Sequence, residues 1–178
     1  LAQTQVRSLG AEIAWRPFEI LQLMDKVGNV PTSITCKPKG KYLGVDLMRW
    51  VAIYGVPFQR HPESGRIDAR RLLRATLAAA DLGQADAAVA AIFGAYWGDG
   101  APLSTASDVA GLLNAAGVGG SDLIGRMDDP ELDARLDAAT DEAAARGVFG
   151  APTMYVGEEM FFGNDRLDFV RASLGAAA

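Results

Sequence analysis

Gly147-Val-Phe-Gly-Ala-Pro-Thr-Met-Tyr-Val-Gly-Glu-Glu-Met-Phe-Phe-Gly-Asn-Asp-Arg166 is the stretch on which the fold turns. Thr153–Val156 and Met160–Phe162 are short apolar runs separated by Gly157, Glu158 and Glu159, a length that predicts a β-hairpin. Beyond Gly163, Asn164 or Asp165 is placed to cap a final helix carrying Leu167, Val170, Arg171 and Leu174 along one face. Pro152 stands at the mouth of the first strand, where its missing N–H is tolerated.

Upstream, the pattern is helical for about a hundred residues. Asp129, Pro130 and Glu131 open a helix whose face is Leu132, Leu136 and Ala139, with Pro at its tolerated first position. Thr105 and Asp108 form a capping box ahead of Val109, Leu112 and Leu113. Asp68 caps a helix through Leu82, and a second, rich in alanine, runs from Ala87 to Ala95 and closes at Trp97–Gly100. Leu43, Leu47, Trp50 and Val51 recur at helical spacing over Tyr42–Tyr54, stopped by Gly55 and Pro57. Residues 25–41 hold Gly28, Pro31, Pro38 and Gly40 without periodicity and read as a long loop.

At the front, Ala2, Val6 and Leu9 suit the end of a helix stopped by Gly10. Ala11, Ile13 and Trp15 then alternate with Glu12, Ala14 and Arg16 as in a half-buried strand ended by Pro17. The predicted order is helix, strand, helical block, strand, strand, helix, and one further strand before Leu1 would complete a thioredoxin-like α/β layout. The expected organisation is a thioredoxin-like domain of residues 1–41 and 147–178 with an inserted helical subdomain over 42–146.

Composition narrows the function. The 178 residues, 49% hydrophobic and 22% charged, suit one globular body, and no apolar run reaches the ~20 residues of a membrane span. A net charge of −5 argues against nucleic-acid binding. Cys36 is the single cysteine, so there is no internal disulfide and no Cys-x-x-Cys, which suits a reducing, cytoplasmic setting. His61, the one histidine, is expected to be structural or exposed, and no ligand spacing supports a metal site. Cys36 reads as a loop thiol, Asp46 and Arg49 as a local ion pair, and Trp50 as core packing. Tyr96 and Trp97 are candidates to wall an apolar pocket.

Taken with its flanks, Gly147–Arg166 resembles the DsbA-like branch of thioredoxin folds. Gly28-Asn29-Val30-Pro31, then Lys39-Gly40-Lys41-Tyr42, then Asp46, Arg49 and Trp50, resemble the 2-hydroxychromene-2-carboxylate isomerase and kappa-class glutathione transferase family. The likeness extends over the helical block, the Arg74-Ala75 region and the Tyr96-Trp97 helix end. It implies a cis bond before Pro152, with the Ala151 backbone exposed as an edge for a peptide. It further implies glutathione as cofactor, lined by Asn29, Lys39, Ala151, Pro152, Asn164 and Asp165 with Arg166 in support, and a small aromatic substrate. A family serine that activates the thiol is expected before Leu1. Ser8, Ser33 and Ser64 do not occupy its place, so the catalytic residue is unknown. The implied activity is a glutathione-dependent isomerase of aromatic degradation. Alternatives are a kappa-like transferase, a DsbA-like peptide-binding protein, or a disulfide oxidoreductase, the last only if the segment before Leu1 carries Cys-x-x-Cys. A homodimer is implied by the resemblance alone.

Overall fold

The computed structural model describes residues 6–7, 10–119 and 123–176. Its elements are α1 (Ile20–Lys26), α2 (Thr32–Thr35), α3 (Lys37–Tyr54), α4 (Ala69–Asp81), α5 (Ala85–Phe93), α6 (Ala106–Ala115), α7 (Leu123–Met127), α8 (Pro130–Ala145), β1 (Thr153–Val156), β2 (Glu159–Phe162) and α9 (Leu167–Ala176). Helices dominate, and among the described residues two strands form a single antiparallel hairpin in which Val156 faces Glu159 and Thr153 faces Phe162. The connection is therefore two residues, with Gly157 at φ 59°, a backbone state that glycine enters without steric cost. Glu159 belongs to the strand and not to the turn.

The core lies in the helical block. Ala75, Ala78 and Ala79 of α4 and Ala88 of α5 are buried, so two helix surfaces without bulky side chains pack closely. Val109 and Leu113 of α6, Met127 of α7 and Leu132 of α8 belong to the same cluster. The expected caps form: Asp68 accepts from Arg71 N–H, Thr105 and Asp108 bond reciprocally, and Asp129 accepts from Glu131 N–H. The α4 guanidiniums weld the block together. Arg74 pairs with Asp133 of α8 at 2.6 Å, and Arg70 reaches Asp133 and Asp137, each at 3.0 Å. Asp81 at the end of α4 takes Arg135 of α8 at 2.8 Å and also pairs with Arg126 of α7. These cations, Arg135 first, hold the Asp81 carboxyl at about 2.

Several expectations are corrected. Ala11–Arg16 alternates between half-buried and exposed side chains as a strand would, yet it joins no sheet among the described residues. Its segment is anchored to helices instead, through Trp15 Nε1 to Asp86 at 2.6 Å and Glu19 N–H to Thr140 Oγ1 at 3.0 Å. The expected loop at 25–41 is largely helical: α1 ends at Lys26, α2 spans Thr32–Thr35, and α3 starts at Lys37, before the expected Tyr42. Pro38 lies in the first turn of α3, where a helix needs no N–H from it, so it starts the helix instead of breaking it. That helix runs unbroken across the expected 41/42 junction. Of the helix expected over Leu1–Leu9, Val6 and Arg7 are helical, while the remainder, with Ser8, lies outside the described residues.

The final helix also departs from expectation. Asn164–Arg166 forms a 3-10 turn ahead of α9, so neither Asn164 nor Asp165 directly precedes that helix. Both side chains are engaged elsewhere, Asn164 with Tyr54 and Asp165 with Arg166.

Candidate functional site

Two features meet at Asn164. The first is the corner ahead of β1, where the Ala151–Pro152 peptide is cis and both residues are exposed. Asn29, just past α1, donates its side-chain amide to the Phe149 carbonyl at 2.6 Å, and Gly163 N–H donates to the Pro152 carbonyl at 3.0 Å. The Gly28–Pro31 segment, the corner and the turn before α9 are thus joined into one surface. Gly150 is buried under Phe162, and a Cβ there would lie 2.7 Å from Phe162 Cε2, so only glycine lets the backbone pass beneath that ring.

The second is an open, apolar cavity of about 300 Å³. One wall is the face of α3 formed by Leu47, Trp50, Val51 and Tyr54. Phe58 and Trp97 also line the cavity, with ring centroids 5.7 Å apart and nearly parallel planes. Trp97 rides on a wide π-helical turn over Gly94–Asp99, an irregularity that recurs at functional sites. The loop after α3 is stitched to that turn: Gln59 N–H donates to the Trp97 carbonyl at 2.7 Å, and Gln59 Nε2 to the Gly98 carbonyl at 2.9 Å. Asn164 closes one side, its Nδ2 donating to the Tyr54 hydroxyl at 3.3 Å while that hydroxyl donates to the Asn164 carbonyl at 3.4 Å.

The structure therefore brings Asn29, Ala151, Pro152 and Asn164 together. Asp165 and Arg166 stand beside them on the exposed turn, ion-paired with each other at 2.5 Å. Lys39 projects from the first turn of α3, its ammonium on the Thr32 hydroxyl. Trp97 lines the cavity. Tyr96 does not: it stacks on His61 at 5.4 Å, behind the wall. Trp50, expected in the core, is instead half-buried and lines the cavity, because the face of α3 it shares meets open space and not another helix. Tyr54, Phe58 and Gln59 were not singled out from sequence. For Tyr54 a signal exists, since it continues the Leu47, Trp50, Val51 face by one turn.

The remaining candidates have structural roles. His61 is buried, with Nε2 2.8 Å from the Ala101 carbonyl and Nδ1 accepting from Glu63 N–H at 3.1 Å, so both ring nitrogens are engaged and the neutral Nε2–H tautomer fits. Asp46 and Arg49 pair at 3.6 Å. Cys36 is free and exposed, the single extended residue that connects α2 to α3. Ser64 begins an exposed 3-10 turn, and the Ser33 carbonyl lies against Gly40. Among the described residues no group of three or more His, Cys, Asp or Glu is placed to hold a metal, and no helix is long and apolar enough to cross a membrane.

Residues 1–175 match the DSBA-like thioredoxin domain, which fixes the class: a thioredoxin fold of the DsbA type, mostly helical with a small sheet. A 2-hydroxychromene-2-carboxylate isomerase of Sphingobium xenophagum is 34% identical over 94% of this chain and 85% of its own. The solved structure of a 2-hydroxychromene-2-carboxylate isomerase superposes with a TM-score of 0.85 at 30% identity, covering 98% of this chain and 85% of that one. A kappa 2 glutathione S-transferase of Caenorhabditis elegans is 27% identical over 87% of this chain and 75% of its own. The chain belongs to the 2-hydroxychromene-2-carboxylate isomerase and kappa-class glutathione transferase family.

Proposed function

We propose that the protein is a glutathione-dependent isomerase of a small aromatic-degradation intermediate, of the kind its relatives' names describe. The observation that carries this reading is the adjacency of an exposed cis-proline corner and an apolar, aromatic-walled cavity, with Asn164 bordering both. The corner suits a peptide charged at both ends. The Ala151 backbone offers an edge, Asn164 an amide, Asp165 a carboxylate for an ammonium, and Arg166 and Lys39 cations for carboxylates.

Bound glutathione would supply a thiolate that adds reversibly to an electrophilic carbon and leaves again, freeing a double bond to rotate without net consumption of thiol. The protein's own part is positional. Phe58 and Trp97 present a flat apolar wall to a substrate ring, Trp50 and Tyr54 line the same cavity, and the Gln59 contacts keep the wall in place.

The test is calorimetric titration of the full-length protein with glutathione, then product analysis on 2-hydroxychromene-2-carboxylate. Saturable binding and isomerised product, with the glutathione pool unchanged, are expected. Accumulation of a conjugate would replace the isomerase by a transferase, and no binding at millimolar glutathione would overturn the reading. Asp165→Ala is expected to weaken glutathione by roughly 3- to 10-fold, a modest loss because the carboxylate is exposed. Unchanged affinity would remove Asp165 from the site.

A further inference from the structure

Tyr54 is the last residue of α3, and its two ends face different surroundings. Its ring lines the cavity beside Trp50, with centroids 5.3 Å apart. Its hydroxyl sits on the turn before α9, in a two-way exchange with Asn164, accepting from Nδ2 at 3.3 Å and donating to the carbonyl at 3.4 Å. The residue before Asn164 is Gly163, whose N–H holds the Pro152 carbonyl. A short chain of contacts therefore runs from the cavity through Tyr54 and Asn164 to the cis-proline corner, spanning segments 110 residues apart in sequence.

Both hydrogen bonds are longer than well-made ones of their kinds, about 2.7–3.2 Å for N–H···O and about 2.5–3.0 Å for O–H···O. The pair is thus loosely held, and Tyr54 borders the open cavity. From this we infer that Tyr54 is a positioning residue that couples the two halves of the site. A ring packed in the cavity fixes Tyr54, Tyr54 fixes the Asn164 amide, and a peptide arriving at the corner meets a donor already oriented. The inference rests on the functional reading above, since it takes Asn164 as part of the glutathione site.

The sign follows from the ordering cost. Whichever ligand binds first immobilises the shared Tyr54–Asn164 pair, so the second loses less conformational freedom on binding, which is positive cooperativity without a large rearrangement. Reciprocity then requires that each ligand tighten the other by the same factor. For an enzyme that must hold thiol and ring together, this favours the ternary complex over either binary one. A polar contact across an otherwise apolar wall has no evident packing purpose, since the aromatic ring alone would fill the same space.

The experiment uses the full-length protein, glutathione, and 1-naphthol as an uncharged aromatic probe that cannot compete for the charged corner. Glutathione affinity is measured by calorimetry with and without saturating naphthol, and naphthol affinity by tryptophan quenching with and without saturating glutathione. The expected result is that each tightens the other by the same factor, about threefold or more. In Tyr54→Phe that factor falls to about one, although both ligands still bind. Failure of glutathione to bind at all would overturn the functional reading and this inference with it. Binding of both ligands with no mutual effect in the wild type would overturn this inference alone, as would full coupling retained in Tyr54→Phe. Failure of naphthol to bind would remove the cavity as a ring site and overturn the coupling. Should Tyr54→Phe fail to fold, Tyr54→Leu, which also lacks the hydroxyl, is put to the same test, and full coupling there would likewise overturn the inference.

Discussion

Helices α3 and α4 lie close in sequence and are used in opposite ways. The 13 residues of α4 bury Ala75, Thr76, Ala78 and Ala79 and weld its charged face to α8 through Arg70 and Arg74. The 18 residues of α3 include larger apolar side chains, yet none is fully buried, and Tyr42, Leu43, Leu47, Met48 and Ile53 are all exposed. Small residues let α4 approach its neighbours and supply stability. Large ones on α3 meet open space and shape a cavity wall. Apolar content alone does not separate core from site: what the face is offered as a neighbour does.

The contrast is broken most strongly from the core side. Leu113 in α6 is fully buried in the cluster that includes the α4 alanines. Leu113→Ala is expected to cost ~3–5 kcal/mol, from lost transfer energy plus the cavity left behind, read as a lower midpoint in urea at unchanged slope. A loss under about 1 kcal/mol would mean that the block tolerates voids and is not the stabilising half.

Arg74 tests the weld. Its side chain is only 14% exposed and pairs with Asp133, which it holds below the usual carboxylate range together with Arg70. Arg74→Ala is expected to cost ~2 kcal/mol, since Asp133 keeps Arg70 and is itself partly solvated. Arg74→Lys should recover only part of this, because an ammonium cannot reproduce the guanidinium fork. Full recovery by lysine would reduce the pair to simple charge.

Asp81 gives a smaller, pH-dependent version. Its carboxyl is held at about 2 in the fold against an ordinary value of 3.8. The folded state therefore binds the proton less readily than the unfolded chain, and the stabilisation is present above pH ~4 and lost as pH falls from ~4 towards 2. Screening at this partly exposed site reduces the contribution to about 1 kcal/mol. Asp81→Asn should flatten the acid limb of a stability-versus-pH curve in that window and leave its shape unchanged above pH 5. An unaltered limb would assign the acid sensitivity to other carboxylates.

What was legible in the sequence was local chemistry. The caps at Asp68, Thr105 and Asp129 were readable because donor and acceptor lie within three residues of each other. The hairpin was readable from its glycine, and the family from the Asn29–Trp50 and Gly147–Arg166 segments. Pairing was not readable. The alternation at Ala11–Arg16 correctly predicts which side chains are half-buried, but a ladder depends on a neighbouring strand, and Asp86 and Thr140 hold the segment instead. Prolines at 31 and 38 looked like breakers because the same residue that ends one helix begins the next. The site shows the same limit. Asn29, Pro152 and Asn164 came from resemblance, whereas the Tyr54–Asn164 contact spans 110 residues and leaves no local trace.

The smallest effect on stability is the sharpest test of α3. Leu47 is 40% exposed and lines the cavity beside Trp50, so truncation removes little buried surface and leaves no enclosed void. Leu47→Ala is expected to change stability by less than ~1 kcal/mol, against the several kcal/mol of the same truncation at Leu113. Affinity for 1-naphthol should nevertheless fall by roughly 3- to 10-fold, since the methyl groups lost are contacts that only a bound ring makes. The two measurements, chemical denaturation and probe titration, thus move in opposite proportion at the two leucines. If Leu47→Ala destabilised the chain as much as Leu113→Ala, α3 would be a core helix whose exposure belongs to this conformation alone. If it left both readouts untouched, the cavity wall would have to be sought on the Phe58–Trp97 side.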